Sequence, residues 1–243
     1  MLKEVIKSIV DIKKSINGIL NIPNFLSDYT HFKQLGGDIK LKNLFPVLDE
    51  KTSKTSIDKH YFYQDFWAFK KILNSKIQKH FDIGSNNKYI SLLTAITEVV
   101  FVDIRPLEAN LPNLTNQKGS ILELPFDTCS ITSLSCLHVA EHIGLGRYGD
   151  PIDPKGTQKA CRELERVLAR NGNLYFGLPI GKPRICFNAH RIHNSNQILE
   201  YFSGLTLLSF SGVDDNGNFY ENINVDLLDD SNYACGLFQF TKN

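Results

Sequence analysis

The chain has 243 residues, 27 Lys and Arg against 26 Asp and Glu, 42% hydrophobic residues and five cysteines. This length suits one α/β domain with an extension and buries a core without staples. A formal charge of +1 excludes a dedicated nucleic-acid binder, whose basic residues must clearly outnumber its acids, and equally a strongly acidic, solvated chain.

The first twenty residues, MLKEVIKSIVDIKKSINGIL, alternate apolar and charged positions at helical spacing. They predict an amphipathic helix that packs on its own domain or on a twin subunit, which makes a homo-oligomer one expected outcome. No apolar run approaches a membrane span and no continuous apolar block marks a signal peptide, so a cytoplasmic protein is expected. From Asn21 to Lys59 the periodicity fades around Gly36-Gly37 and a Thr/Ser/Lys cluster, which reads as a linker or lid. Residues 1–60 are thus assigned to an N-terminal helix and linker, and 61–243 to an α/β domain. Cys129, Cys136, Cys161, Cys186 and Cys235 are odd in number, widely spaced and without a C-x-x-C pair, so free thiols are expected.

A short helix-like stretch, Tyr63 to Ile77, leads into alternating strand and helix patterns, the signature of a parallel sheet with right-handed crossovers. Seven strands are predicted: Lys79 to Ile83, Glu98 to Val102, Gly119 to Leu122, Ile131 to His138, Asn173 to Leu178, Leu205 to Ser209 and Cys235 to Thr241. The clearest helix runs from Pro154 to Arg170, capped by Asp153 and ended by Asn171-Gly172. The expected fold is a Rossmann-like, seven-stranded, mostly parallel sheet with an N-terminal helical extension.

Ligands of open α/β sheets bind at the carboxyl ends of the strands. There the first strand runs into Asp82-Ile83-Gly84-Ser85, an acid followed by a glycine at a sharp turn, and the second ends in Asp103. A carboxylate at that second position accepts both hydroxyls of a ribose. One glycine supports no pyrophosphate cradle but suffices for a nucleoside ligand without phosphate, which favours S-adenosylmethionine over NAD.

These residues resemble the class I S-adenosylmethionine-dependent methyltransferases over roughly residues 78 to 210. Asp82 to Ser85 is similar to their first motif and Val102-Asp103 to their second. Gly119 to Phe126 is similar to the third-strand motif, Leu137-His138-Val139-Ala140-Glu141-His142 to the stretch after the fourth strand, and Gly172 to Pro179 to the fifth strand. The Gly146 to Pro151 loop and His190-Arg191 further resemble a little-characterised branch labelled only as a domain of unknown function and associated with bacterial surface-glycan genes. The resemblance implies a cofactor site of Asp82, Gly84, Ser85, Asp103, Ile104, Ser120, Ile121, Leu122 and His138. Asp82 and Gly84 would order the methionine end, Asp103 would hold the ribose, and Ser120 to Leu122 would frame the adenine. Ser120 stands where the family usually has Asp.

The acceptor half is read from the following loops. Methyl transfer to an alcohol needs in-line positioning and a base for the departing proton. His142, His190 and Glu141 are the candidates, and His142 has a suitable unperturbed pKa. Arg147, Tyr148, Arg184 and Arg191 would bind an acceptor, and their positive charge fits an anionic one such as a sugar nucleotide or phosphoryl compound. Asp150-Pro151 and Asp153-Pro154 read as turn and helix-start pairs, so no metal is expected. The expected function is O-methylation of a small polar acceptor, a saccharide or its activated precursor. The alternative is a nonenzymatic S-adenosylmethionine-binding or scaffold protein that kept the fold. An NAD-dependent sugar-modifying enzyme is disfavoured by the missing glycines and the missing Tyr-x-x-x-Lys pair, and a glycosyltransferase by the missing Asp-x-Asp.

Overall fold

The computed structural model describes residues 12–243, and the chain divides into two compact units, residues 1–57 and 58–243. In the first unit, helix α1 (Ile12–Gln34) is followed by a single 3-10 turn at Leu41–Asn43. Asn21 Nδ2 donates to the Leu48 carbonyl at 2.8 Å, which pins the outgoing chain to the helix. Ile19, Leu20, Leu26 and Phe32 along α1 remain exposed. The helix therefore runs fourteen residues into the stretch expected to be a linker, carrying Pro23 within it. Residues 1–11 of the expected N-terminal helix lie outside the described residues.

The second unit contains α2 (Lys59–Ser75), β1 (Lys79–Ile83), α3 (Asn87–Leu93), β2 (Glu98–Asp103), β3 (Leu114–Lys118) and β4 (Ile131–Leu137). These are followed by α4 (Gly156–Val167), β5 (Leu168–Ile180), β6 (Arg184–Cys186), β7 (His190–Ile192), α5 (Ser195–Tyr201), β8 (Thr206–Val213), β9 (Phe219–Tyr220) and β10 (Ala234–Thr241). The sheet order is β3-β2-β1-β4-β5-β10-β8-β9. Strands β1 to β5 pair in parallel, whereas β10 runs antiparallel between β5 and β8. This is an α/β Rossmann-like fold with a mostly parallel central sheet, of eight strands rather than seven because the two-residue β9 adds an edge. A separate β6-β7 hairpin projects between β5 and α5.

Alternation along the strands makes the two faces. Val99 and Phe101 of β2, Tyr175 of β5 and Leu237 of β10 pack with Trp67 and Ile72 of α2 and with Ile90 and Leu93 of α3. Val100, Val102, Leu174, Phe176 and Phe238 point the other way, onto Ala160, Leu164 and Val167 of α4 and onto Ile198 and Phe202. Both faces are thus covered, as parallel sheets require.

Departures from the predicted boundaries have physical causes. Helix α2 starts at Lys59, earlier than Tyr63, because Asp58 caps it by accepting the backbone N–H groups of His60 and Tyr61. Helix α4 stops at Val167, not Arg170, because Leu168 already pairs with Ile131 and the Ser130 N–H takes the Val167 carbonyl. Asn171, at φ 58°, and Gly172 form an irregularity inside β5 rather than a helix end. Strand β3 is Leu114–Lys118, not Gly119–Leu122: its LTNQK sequence lies on an edge and needs no apolar alternation. Strand β8 runs to Val213, beyond the expected Ser209, because β10 continues to pair with it.

Candidate functional site

At the carboxyl ends of β1, β2 and β4 the chain encloses a cleft of about 330 Å³. Its floor is set by a buried polar ladder. His80 lies between the hydroxyls of Ser133 (2.7 Å) and Ser135 (2.8 Å), and Ser135 Oγ donates to Asp82 Oδ2. Asp82 also accepts the Ser85 N–H at 3.0 Å and the Ser85 hydroxyl at 2.7 Å, while Ser85 Oγ accepts the Leu137 N–H. The ladder ties the ends of β1 and β4 together and shapes the turn at Gly84. Burial pushes the Asp82 carboxyl up to about 7 and the His80 imidazole down to about 3.

Gly84 adopts φ +69°, and a Cβ there would press on Val139 at 3.2 Å and stand 3.5 Å from Asp103 Oδ2. The glycine therefore leaves room beside the Asp103 carboxylate, where a ligand can approach the backbone. Asp103 Oδ1 accepts the Arg105 N–H at 2.7 Å, which fixes the side chain at the end of β2. Gly84, Asp103, Ile104, Ser120, Ile121, Leu122 and His138, all expected at a cofactor site, line this one cleft. Asp82 and Ser85 do not line it; they hold the turn from beneath. The Ser120 hydroxyl accepts the Leu122 N–H at 3.2 Å and so shapes its own turn.

Among the acceptor-side residues, His142 and Tyr148 reach the cleft. The Ala189 carbonyl accepts from His142 Nδ1 at 2.6 Å, so this nitrogen carries the ring proton and Nε2 keeps the lone pair. Arg147 Nη1 donates to the same carbonyl at 3.0 Å. Burial lowers the His142 pKa to about 4, leaving a neutral imidazole. Glu141 is fully buried, neither carboxyl oxygen has a hydrogen-bond partner among the described residues, and His142 Nε2 is 3.6 Å from Oε1. Burial raises the Glu141 pKa to about 8, so at neutrality this pair holds a neutral acid beside a neutral base. Glu141 and His190 do not line the cleft; the His190 ring packs on Tyr233, with centroids 5.0 Å apart.

The four residues expected to bind an acceptor part company. Tyr148 is flanked by two guanidinium groups, Arg105 at 4.5 Å and Arg147 at 5.1 Å from its ring centroid, which folds the 146–151 loop over the cleft. Arg184 lies exposed on the hairpin, donating to Asn232 Oδ1 and to the Asn232 carbonyl. Arg191 is buried, donating to the carbonyls of Ile143 at 2.5 Å and Asp153 at 2.9 Å, so its charge is committed to backbone acceptors and is not offered to a ligand. Sequence reasoning missed Arg105, which lies in the cleft wall, and read Asp150, in the same wall, as a turn residue. Asp150 accepts the Gly144 N–H at 2.5 Å and the Tyr148 N–H at 3.3 Å, and only the placement of Arg105 just after Asp103 could have signalled it.

Comparison with known proteins agrees with this architecture. Residues 126–232, less than half of the chain, match a family described as Caenorhabditis protein of unknown function, DUF268. No curated protein matches. Among solved structures, the chain is similar to a putative sarcosine dimethylglycine methyltransferase from Galdieria sulphuraria (TM-score 0.57, 16% identity, 89% of this chain and 98% of that one). It is also similar to N-methyltransferase NodS from Bradyrhizobium japonicum WM9, solved with S-adenosyl-L-homocysteine (TM-score 0.53, 14% identity, 74% and 86%). The [4+2]-cyclase SpnF shares the fold as well (TM-score 0.53, 10% identity, 79% and 85%). The fold is that of class I methyltransferases and their relatives. It hosts more than one chemistry, so activity must be argued from the site. No helix among the described residues is long and apolar enough to cross a membrane.

Proposed function

We propose that the chain is an S-adenosylmethionine-dependent methyltransferase that methylates an oxygen of a small polar acceptor, such as a saccharide, a sugar nucleotide or a phosphoryl precursor of a surface polysaccharide. The observation that carries this reading is the Asp103 carboxylate beside the open turn at Gly84, facing a slot walled by Ile121 and Leu122. That arrangement suits a nucleoside: hydroxyls on the carboxylate and a base against apolar side chains. The fit with S-adenosylmethionine is tested by Gly84, where a Cβ would narrow the space beside the carboxylate.

When bound, S-adenosylmethionine supplies an electrophilic methyl group. The chain's own contribution is positioning, dehydration and proton handling. Asp103 holds the ribose end, and Tyr148, clamped between Arg105 and Arg147, covers the cleft and excludes water. His142 Nε2 receives the acceptor proton, with Nδ1–H steadied on the Ala189 carbonyl. Arg105 and Arg147 place two guanidinium groups around Tyr148 beside the cleft, which supports an anionic acceptor.

Calorimetry with S-adenosylmethionine, S-adenosylhomocysteine and NAD tests the cofactor. The two adenosyl ligands bind and NAD does not; Asp103→Ala weakens their binding about 30- to 100-fold, the loss of charge-assisted hydrogen bonds. Absence of binding by both adenosyl ligands overturns the reading. Radiolabelled methyl transfer to a panel of sugar nucleotides tests the acceptor; tight cofactor binding with no transfer to any hydroxyl compound favours a binding protein that kept the fold.

A further inference from the structure

We propose that His60, His138 and Cys235 form a binding site for one transition-metal ion of the zinc type, separate from the Asp103 end of the cleft. Their ligand atoms, two imidazole nitrogens and one sulfur, all lie within 4.8 Å of one another. Around a tetrahedral zinc ion with bonds of 2.0 to 2.3 Å such atoms stand about 3.5 Å apart, so a contraction of about 1 Å closes the site. The three come from different elements: His60 from the first turn of α2, His138 from the bend after β4 and Cys235 from the start of β10. No sequence spacing announces them.

The orientation of His138 is the strongest argument. Its Nδ1 lies 2.5 Å from Gln64 Oε1, and the Gln64 amide nitrogen is engaged by Asp65 Oδ1, so Gln64 presents its carbonyl and Nδ1 carries the proton. The lone pair is therefore on Nε2, which is buried and has no hydrogen-bond partner among the described residues. His138 is itself only 8% exposed and is held at φ +56°, in the left-handed region. A buried imidazole oriented through its other nitrogen by a carbonyl is the arrangement of metal-bound histidines. An unpartnered lone pair in the interior is otherwise unfavourable.

Charge supports the same occupant. Binding displaces the Cys235 thiol proton to solvent, and the resulting thiolate cancels one charge of a divalent ion. Two imidazoles and a thiolate favour zinc over magnesium or calcium, which take oxygen donors. Three protein ligands leave the fourth tetrahedral position open. The site is also reachable, since His138 lines the Asp103 cleft and His60 lines a second depression with Tyr233, Asp214 and Asp215.

The test uses the full chain, freed of metal by a chelator and titrated with Co²⁺. The expected result is one equivalent bound, with tetrahedral d–d bands in the visible and a thiolate-to-cobalt charge-transfer band in the near ultraviolet, both abolished by competing Zn²⁺. Cys235→Ser removes the charge-transfer band, and His60→Ala lowers Co²⁺ affinity at least tenfold. His60 is only half-buried, so its variant decides the matter if Cys235→Ser does not fold by Trp67 fluorescence. Absence of saturable binding, or a charge-transfer band that survives Cys235→Ser or an affinity that survives His60→Ala, overturns the proposal. These spectra are independent of methyl transfer, so they stand or fall apart from the catalytic reading.

Discussion

Arg191→Ala distinguishes a residue that binds an acceptor from one that holds the site together. In the structure the Arg191 guanidinium donates to the carbonyls of Ile143 and Asp153, joining β7 to the loop that precedes α4. A hydrogen bond from a charged donor contributes about 1.5 to 3 kcal/mol, and deleting the donor removes two of them, although the Asp153 carbonyl still accepts the Gly156 N–H at 3.0 Å. The release of a buried cation from a site where burial lowers its pKa offsets part of this, so a net loss of about 3 to 5 kcal/mol is expected. Trp67 is the single tryptophan, 1% exposed in the core of the second unit, so its fluorescence in urea reports that unit alone. With an m-value of about 2 kcal/mol per molar, the midpoint falls by about 1.5 to 2.5 M. Arg191→Lys keeps the charge without the fork and loses about half as much. A midpoint within about 0.3 M of wild type, together with a large rise in acceptor KM, would refute this and return Arg191 to the ligand.

Three further outcomes follow from the same geometry. Gly144 has φ +84°, and a Cβ there would overlap the Asp153 carbonyl oxygen, so Gly144→Ala lowers unfolding free energy by at least about 2 kcal/mol, checked by urea melts. Burial raises the Asp82 pKa from its ordinary 3.8 to about 7, so the folded state keeps a proton that the unfolded chain releases. Its contribution is intact below about pH 4 and lost as pH rises towards 7; the advantage of wild type over Asp82→Asn shrinks by several kcal/mol across that window, at about 1.4 per unit, in paired melts. His142→Gln reduces kcat by about 100-fold or more with cofactor affinity unchanged, and the wild-type kcat/KM falls on the acid side near pH 4 rather than 6.5.

Much of the cleft at the ends of β1, β2 and β4 was legible because its signals are local. A strand ending in an acid and a glycine turn, then a second strand ending in Asp103, are fixed by a few contiguous residues, and short strand-length apolar runs located β1, β2 and β4 within a residue. Edge strands were not legible: LTNQK carries no apolar rhythm because only one side of β3 has a neighbour. The end of α4 was misplaced because Asn171-Gly172 has the chemistry of a helix stop, yet pairing of Leu168 with Ile131 takes the chain into the sheet first. On the acceptor side, the positive charge of Arg147, Arg184 and Arg191 was readable but its direction was not. One guanidinium lies against Tyr148, one sits exposed on the hairpin, and one is spent on backbone carbonyls.

By itself the sequence determined the α/β class, the strands whose carboxyl ends form the cleft and the residues at those ends, because short apolar runs and turn chemistry are properties of neighbours along the chain. Tertiary structure alone decided which titratable groups meet. Burial leaves Glu141 and His142 neutral side by side, and α2, the bend after β4 and β10 bring His60, His138 and Cys235 together from positions far apart in the chain. Those encounters depend on packing between distant elements, which is why no spacing in the sequence carries them.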